Sequence, residues 1–226
     1  MIVHRFINTP VSSNTYIIYN EITLECIVID PGTKGAEDII SYISQYNLSP
    51  SYIILTHDHF DHVWGVNYLV NKYGPKIICS HNCAKRLSIP QNYFNLLYYG
   101  DNTPLSIEHV DIVLTEDTQL EMVGEVIDLI QTPGHSDSSI CVYIKGCLFS
   151  GDTLMKGFQP VLKKRHGACL DELLRSVNSI YIAYPKSIVY PGHGDPFLIS
   201  EGINWFKELY PSYNFADHDD YYSRQS

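Results

Sequence analysis

Four apolar runs in this chain each end in a turn that carries histidine or aspartate. Short apolar runs bounded by turn residues are typical of buried strands. In three of the turns a glycine directly precedes the polar residue, and glycine permits a tight turn and a close approach of the backbone. Open α/β sheets place their ligands at such strand ends. The pattern therefore predicts an α/β fold whose site is assembled from strand ends, in the segments 52–62, 125–135, 147–153 and 188–194.

The first of these turns, THDHFDH at 56–62, is the densest group of possible ligands. His57 and His59 are two positions apart on an extended stretch, so their side chains face the same way and can bind one ion together. Asp61 and His62 fall in the first turn of a predicted helix, where the helix dipole favours a carboxylate. Imidazole and carboxylate without cysteine suit zinc, iron or manganese. A solvated loop, or histidines hydrogen-bonded at a core edge, is the weaker alternative.

The later turns add His135, Asp152 and His193, which brings the candidate ligands to seven. Seven is one too few for two separate four-coordinate sites unless one ligand is shared. A carboxylate can bridge two ions, so Asp152 is the natural shared ligand. Thr56 and Asp58 either hold the imidazoles in one tautomer or simply cap the loop.

This set of motifs resembles the full ligand set of the metallo-β-lactamase-fold hydrolases. The resemblance covers nearly the whole chain, including NTY at 14–16 and VIDPG at 28–32, and the motifs TPGHS at 132–136 and SGDTL at 150–154 are most similar to the glyoxalase II (hydroxyacylglutathione hydrolase) branch. It implies an α/β four-layer αββα sandwich. It also implies two metal sites that share Asp152: His57, His59 and His135 in the first, and Asp61, His62 and His193 in the second.

The same resemblance implies a metal-dependent hydrolase of the thioesterase or esterase kind. Two divalent ions, with zinc expected and iron or manganese as alternatives, would hold a bridging hydroxide that attacks a small thioester, ester or lactone. Asp61 and Asp152 would be the catalytic carboxylates, and Asp61 would help to orient the nucleophile. Residues 155–166 lack the glycine pattern of glyoxalase II, and only a short stretch follows His193. We therefore do not expect a glutathione-holding helical domain.

Two segments are candidates for substrate contacts. Lys164 and Arg165 belong to a basic run that either binds a substrate carboxylate or phosphate or is a solvated loop. Tyr93 and Tyr98 belong to the aromatic stretch 93–99. That stretch is predicted to be a wall of the metal cleft, with a dimer contact or a helix packed on the core as alternatives.

Two other enzyme classes remain open. A mononuclear non-haem iron enzyme resembling persulfide dioxygenases would use His57, His135 and Asp152. The other is a phosphodiesterase of the same fold, but a net charge of −10 argues against a polyanionic partner. The expected partner is a small-molecule substrate, with neither nucleic acid nor membrane.

The rest of the composition predicts where the chain works and how it is organised. Six scattered cysteines indicate reduced thiols in a cytoplasmic protein, and the N-terminus does not resemble a signal peptide. We expect a single domain over 1–215 and a polar, frayed tail at 216–226. Strands are predicted at 1–7, 14–19, 24–30, 52–55, 76–79, 110–114, 124–130, 140–144, 146–150 and 187–190, and helices near 36–46, 62–73, 170–181 and 202–210.

Overall fold

The computed structural model describes residues 1–216, which form an alternating series of strands and helices. The strands are β1 (Ile2–Ile7), β2 (Asn14–Tyr19), β3 (Glu25–Ile29), β4 (Ser49–Ile54), β5 (Lys76–Ser80), β6 (Ile112–Leu114), β7 (Thr118–Met122), β8 (Glu125–Gln131), β9 (Ile140–Ile144), β10 (Cys147–Gly151), β11 (Ile188–Pro191) and β12 (Phe197–Leu198). The helices are α1 (Glu37–Gln45), α2 (Phe60–Val63), α3 (Val66–Tyr73), α4 (His81–Leu87), α5 (Tyr93–Tyr99), α6 (Leu170–Ala183) and α7 (Ile199–Leu209), with a 3₁₀ turn at Lys164–His166.

The strands form two mixed sheets. The first has the order β1-β2-β3-β4-β5-β6, and the second has the order β12-β11-β10-β9-β8-β7. Tight connections keep β1, β2 and β3 antiparallel, whereas the helical crossovers make β3, β4, β5 and β6 parallel. In the second sheet, β10 and β11 are parallel and are connected through α6. Each sheet is therefore built by one half of the described chain.

Alternation along the strands sorts their apolar side chains into separate layers. On β2, Ile18 faces the second sheet while Ile17 faces the helices. On β10, Phe149 faces the first sheet while Leu148 packs under α6 and α7. The period of two along a strand requires such a division when both faces of a sheet are covered. The result is the predicted four-layer αββα sandwich, with α1, α3 and α4 on one outer face and α6 and α7 on the other.

The helix predicted after the first ligand turn is divided into α2 and α3. The break lies at Trp64 and Gly65, where the Gly65 amide donates to the carbonyl oxygen of Pro31 at 2.7 Å. A Cβ atom at Gly65 would stand 2.8 Å from the Thr33 carbonyl oxygen. This close approach explains why the chain has glycine there and why the apolar periodicity alone does not reveal the break.

Four elements were not among those predicted: α4, α5, β7 and β12. The helix α5 was only one of three alternatives for the aromatic stretch, and β12 has just two residues. The predicted tail at 216–226 lies, apart from Ala216, outside the described residues. Within residues 1–216, no helix combines the length and apolar character that a membrane span requires.

Candidate metal centre

Five strand ends bring polar side chains to one edge of the sandwich. Asp30 follows β3, His57 follows β4, His135 follows β8, Asp152 follows β10 and His193 follows β11. The parallel pairs β3–β4 and β10–β11 place two carboxyl ends side by side in each sheet. An antiparallel bridge between Ser13 and His193 joins the sheets at this edge. The predicted ligand turns therefore converge from both sheets.

One group of possible ligands consists of His57, His59, His135 and Asp152, whose ligand atoms all lie within 4.8 Å of one another. The Nδ1 atom of His59 is 3.0 Å from Nε2 of His57 and 3.0 Å from Nε2 of His135. Asp152 Oδ2 lies 3.5 Å from His135 Nε2 and 3.9 Å from His57 Nε2. Three imidazoles and a carboxylate thus face one point.

A second group consists of Asp61, His62 and His193. Asp61 Oδ2 lies 3.4 Å from His193 Nε2 and 3.8 Å from His62 Nε2. Asp152 also faces this group, because its Oδ1 is 3.5 Å from His62 Nε2 and its Oδ2 is 3.6 Å from His193 Nε2. Asp152 is therefore the carboxylate that touches the ligand atoms of both groups.

The buried atoms of these groups fit a divalent cation. Among the described residues, two buried side-chain atoms that face these groups lack a hydrogen-bond partner: His62 Nε2 and Asp152 Oδ1. Leaving buried polar atoms unpaired is costly unless something binds them. Imidazole and carboxylate are also the donors that zinc, iron and manganese accept.

In three of the candidate ligand imidazoles, the ring nitrogen that faces away from the centre contacts a protein oxygen. The Nδ1 atom of His62 is 2.9 Å from Asp30 Oδ2, that of His57 is 3.0 Å from Thr56 Oγ1, and that of His193 is 3.0 Å from the Ser12 carbonyl oxygen. Each contact turns Nε2 towards the centre, which is how proteins orient metal-ligating histidines. Thr56 therefore has the supporting role that was one of its two sequence alternatives.

Asp30 lies near His57 and His62 but acts as a support for the centre. Its Oδ1 accepts the Thr56 amide at 2.7 Å, and its Oδ2 accepts the Thr56 hydroxyl at 2.5 Å as well as facing His62. Both oxygens of the Asp30 carboxylate therefore have partners within the protein. Asp30 was not predicted as a site residue, although the Asp-Pro-Gly turn after an apolar strand could have indicated it.

Asp58 points away from the ligand imidazoles. It accepts the Ser138 hydroxyl at 2.6 Å and the Arg86 guanidinium at 3.0 Å, and His166 Nδ1 lies 2.9 Å from its Oδ2. The reason is the same alternation that puts His57 and His59 on one side, since the residue between them faces the other. Asp58 thus holds His166, whose ring meets that of His59 edge-on at 4.5 Å. Arg86 and His166 were not predicted as site residues, because neither stands in a local motif.

The two groups differ in charge in the metal-free protein. Burial, together with the neighbouring imidazoles His62 and His59, holds the pKa of His57 well below its usual range. Burial and the imidazole of His135 lower the pKa of His59 to about 3. Burial would also lower the pKa of His62, but Asp152, Asp61 and Asp30 outweigh it and raise that pKa to about 10. The first group therefore offers neutral imidazoles, while His62 holds a proton.

Close packing around the centre explains the Pro-Gly turn after β11. A Cβ atom on Gly192 would stand 2.1 Å from Asp152 Oδ1 and 2.9 Å from His62 Cε1. No side chain fits there without displacing a ligand. The glycine before His193 is therefore required by the approach of the chain to Asp152.

The predicted substrate residues differ in whether they line the cleft beside the centre. A cleft beside His59 and Asp61 is lined by Arg165 but not by Lys164. Tyr93 and Tyr98 do not line it either, and Tyr93 is 63% exposed, whereas their neighbour Phe94 is part of its wall. The roles of Lys164, Arg165, Tyr93 and Tyr98 in binding stay predictions. Phe94 was missed because a helix turns successive side chains about 100° apart, and the sequence alone does not fix which face is inward.

The fold matches that of known proteins. A family model described as "Metallo-beta-lactamase superfamily" matches residues 8–193. Among solved structures, the BLEG-1 B3 metallo-beta-lactamase is 26% identical, with a TM-score of 0.78 over 90% of this chain and 97% of that one. TTHA1623 in a di-iron-bound form is 25% identical, with a TM-score of 0.75 over 89% and 98%. ETHE1 from Myxococcus xanthus, at 20% identity and a TM-score of 0.69 over 91% and 83%, shares the fold.

Proposed function

The chain belongs to the metallo-beta-lactamase superfamily, and on that premise we propose that it is a dinuclear metal-dependent hydrolase acting on a small thioester, ester or lactone. One observation carries the proposal. Asp152 faces the imidazoles of both ligand groups, at 3.5 Å from His135 on one side and 3.5 Å from His62 on the other. A carboxylate so placed can be shared by two ions.

Each residue of the centre has a separate role in the proposed reaction. His57, His59 and His135 would hold one ion, Asp61, His62 and His193 would hold the other, and Asp152 would be common to both. A pair of divalent ions would supply hydroxide at neutral pH and polarise a carbonyl oxygen. Asp61 lines the cleft beside the centre, where its carboxylate would orient the nucleophile towards the substrate. Thr56, Asp30 and the Ser12 carbonyl keep the imidazoles aimed at the centre.

The glyoxalase II-like branch is the proposed relationship within the superfamily. It is supported by two motifs at the centre, TPGHS at 132–136 and SGDTL at 150–154. Both glycines of these motifs are needed here, since a Cβ atom on Gly134 would stand 2.2 Å from Leu173 Cα and one on Gly151 would stand 2.4 Å from Thr56 Oγ1. The residues after Asp152 lack the glycine pattern of glyoxalase II, so we propose a smaller acyl compound in place of a glutathione thioester.

Zinc is the proposed metal, with iron and manganese as alternatives. Tetrahedral zinc accepts imidazole and carboxylate ligands such as those present. The structure of TTHA1623 carries two irons, which supports a pair of ions in this fold and makes iron the main competitor. Metal identity is therefore part of the experiment.

The test combines metal analysis with a substrate screen. Protein loaded separately with zinc, iron or manganese is assayed against acyl thioesters, aryl esters, lactones, a cephalosporin and phosphodiesters. We expect two ions per chain and hydrolysis of a thioester, ester or lactone. One iron per chain, with oxygen uptake on a persulfide, would instead identify the mononuclear dioxygenase. Phosphodiester hydrolysis alone would identify the phosphodiesterase.

A cytoplasmic location is also proposed. Burial raises the pKa of the Cys26 and Cys141 thiols to about 12. Such thiols are inert core residues that need no oxidising compartment. Fractionation of the native cells tests this, and recovery outside the cytoplasm would contradict it.

A further inference from the structure

A cleft opens beside the metal centre between α2, α4, α5 and the loop that ends in the turn Lys164–His166. Its inner end reaches His59 and Asp61, and its cavity volume is about 70 Å³. One water molecule needs about 10–15 Å³ of such volume. The cleft therefore has room for several waters, and so for one compact ligand group that ends at the metal ligands.

The wall away from the metal ligands is apolar and aromatic. Phe60 and Phe94 stack with their ring centroids 3.8 Å apart at an interplanar angle of 13°, and Trp64 meets Phe60 edge-on at 4.9 Å. Aliphatic side chains complete this wall: Val63, Leu87, Ile89 and Leu105. An apolar ligand group would be removed from water here without losing hydrogen bonds.

Hydrogen bonds fix the aromatic wall in place. Trp64 Nε1 donates to Asn95 Oδ1 at 2.5 Å, and Asn95 Nδ2 donates to the Thr103 carbonyl oxygen at 2.7 Å. Asn95 is only 5% exposed. Because Asn95 neighbours Phe94 on α5, these bonds hold the Phe94 ring against Phe60. A pre-formed wall costs little to order when a ligand binds.

The charged groups inside the cleft are already paired. Arg86 binds Asp58 at 3.0 Å and also binds Asp137. Asp58 in turn is bound by Ser138 and His166. The charges thus neutralise one another, whereas the exposed Lys163 and Arg165 lie on the cleft wall formed by the loop.

We propose that this cleft binds a compact apolar acyl group, such as hexanoyl or phenylacetyl, with the scissile carbonyl at the end formed by His59 and Asp61. The inference rests on the proposed hydrolase function and deepens it by naming the acyl class. The aromatic wall selects apolar area, and the paired Arg86 and Asp58 offer no free charge to a polar acyl group. Acyl groups with hydroxyl substituents are disfavoured.

Binding of product carboxylates tests the proposal without turnover. Acetate, butanoate, hexanoate and phenylacetate are titrated into zinc-loaded protein carrying Trp205→Phe, so that the fluorescence comes from Trp64 alone. Calorimetry on the same samples gives the Kd. We expect the Kd to fall about fourfold per added methylene, with a change in Trp64 emission for the longer acids. Equal Kd values for acetate and hexanoate would overturn the proposal.

Matched variants locate the binding to the proposed wall. Phe94→Ala should weaken hexanoate and phenylacetate about fivefold or more and leave acetate unchanged. Phe94→Leu should keep most of the affinity and guards against a folding defect. Leu97→Ala is the control, because Leu97 lies on the same helix, is 58% exposed and does not line the cleft. Equal loss in the Phe94→Ala and Leu97→Ala proteins would contradict this location.

The kinetic arm separates this proposal from the proposed function. Acetyl, butanoyl, hexanoyl and phenylacetyl thioesters share one leaving group, and kcat/KM should rise along the series in wild type but remain flat in Phe94→Ala. If no thioester, ester or lactone is hydrolysed while carboxylate binding still depends on Phe94, the hydrolase function fails and the apolar site stands. If hydrolysis occurs without preference for apolar acyl groups, the acyl-site proposal fails alone.

Discussion

Asp152 is the residue on which the two ligand groups depend together. Its carboxylate is buried, and it lies within 4 Å of four imidazoles, those of His57, His62, His135 and His193. Burial would raise its pKa, but the imidazoles of His62, His135 and His193 outweigh burial and lower it, so the group is an anion. An anion in this position would attract two cations and reduce the repulsion between them.

The first prediction concerns the loss of that anion. Asp152→Ala should lower the metal content from two ions per chain to one or fewer and reduce hydrolysis by at least about a hundredfold. Far-ultraviolet circular dichroism should stay unchanged, because the strands that carry the ligands do not depend on this side chain. The control is Asp171→Ala, which removes an exposed carboxylate from the start of α6. Two ions per chain with normal turnover would exclude Asp152 as the shared ligand.

The second prediction concerns the basic run. Arg165 lines the cleft, whereas Lys164 does not, so the two form a matched pair. Arg165→Ala should raise KM about tenfold for substrates with a free carboxylate, while kcat should change little. The reason is that a contact made equally in the bound substrate and in the transition state affects KM and not kcat. Lys164→Ala should raise KM for the same substrates by less, because Lys164 does not line the cleft. An equal rise for neutral and anionic substrates would indicate a solvated loop.

Single residues also show how far the sequence could predict this site. The seven ligand candidates stand next to strand ends that apolar runs reveal, and the structure brings them into two groups that meet at Asp152. Asp30, Arg86 and His166 act through contacts across 28 or more positions of the chain. Local patterns contain no information on such distances, so these residues became visible only in three dimensions.

Among the elements, α4 connects the outer layer to the centre through Arg86. This side chain, 22% exposed, binds Asp58 and Asp137, and these acids lie in two different ligand turns. Burial would raise the pKa of Asp58. Hydrogen bonds from His166 and Ser138 and the charge of the Arg86 guanidinium outweigh burial and lower this pKa. α4 therefore fixes the position of the turn 56–62 against the turn after β8.

The third prediction follows from this link. Arg86→Ala removes a charged hydrogen-bond donor from the buried Asp58 carboxylate and should reduce the free energy of unfolding by about 1.5 to 3 kcal/mol. Urea unfolding of the metal-free protein measures it. Lys85→Ala, the exposed neighbour on the same helix, should have no effect. Because the lowered pKa of Asp58 stabilises the fold above its unfolded pKa, the difference between Arg86→Ala and wild type should shrink as the pH falls below about 4. A difference that persists unchanged in acid would rule out this pair as its source.

Strands and helices were predicted correctly where one buried face requires apolar residues at regular spacing. They were missed where no such face exists. The period of two on β2 and β3 and the apolar stripes of α1 and α6 are enforced by the cores they face. β7 has one buried residue, Met122, and α5 is exposed except at Phe94 and Asn95, so neither sequence carries a continuous apolar face. These elements are defined by pairing with β8 and by the bond between Trp64 and Asn95.

For the molecule as a whole, the unequal protonation of the two ligand groups predicts how metal uptake depends on pH. His62 has a pKa raised to about 10, and the pKa of His193 is also raised, since Asp61 and Asp152 outweigh burial. A raised pKa means that these imidazolium groups stabilise the metal-free fold fully below the unfolded value of 6.5. The contribution of each group is lost as the pH rises through its folded pKa, which for His62 is about 10. A metal ion must displace those protons.

The fourth prediction is therefore two zinc-binding phases with different pH slopes. The phase assigned to His57, His59 and His135 should change little between about pH 7 and about pH 8. The other phase should tighten about tenfold per unit for each proton displaced. Calorimetry in buffers of different ionisation enthalpy counts the protons released. His193→Ala should abolish the pH-dependent phase, and equal slopes for both phases would contradict the assignment.

The division of the chain into two sheets has a consequence for how its halves stay together. β6 ends at Leu114 and β7 begins at Thr118, so a single short connection separates the strands of the first sheet from those of the second. Four ligand candidates precede this connection and three follow it: His57, His59, Asp61 and His62 before, and His135, Asp152 and His193 after. Ions bound at the edge would therefore act as a cross-link between the amino- and carboxy-terminal halves. If the backbone were nicked at 115–117, a complete ligand set would exist only when the two fragments reassociate. The extent of reassociation would then report whether metal is bound.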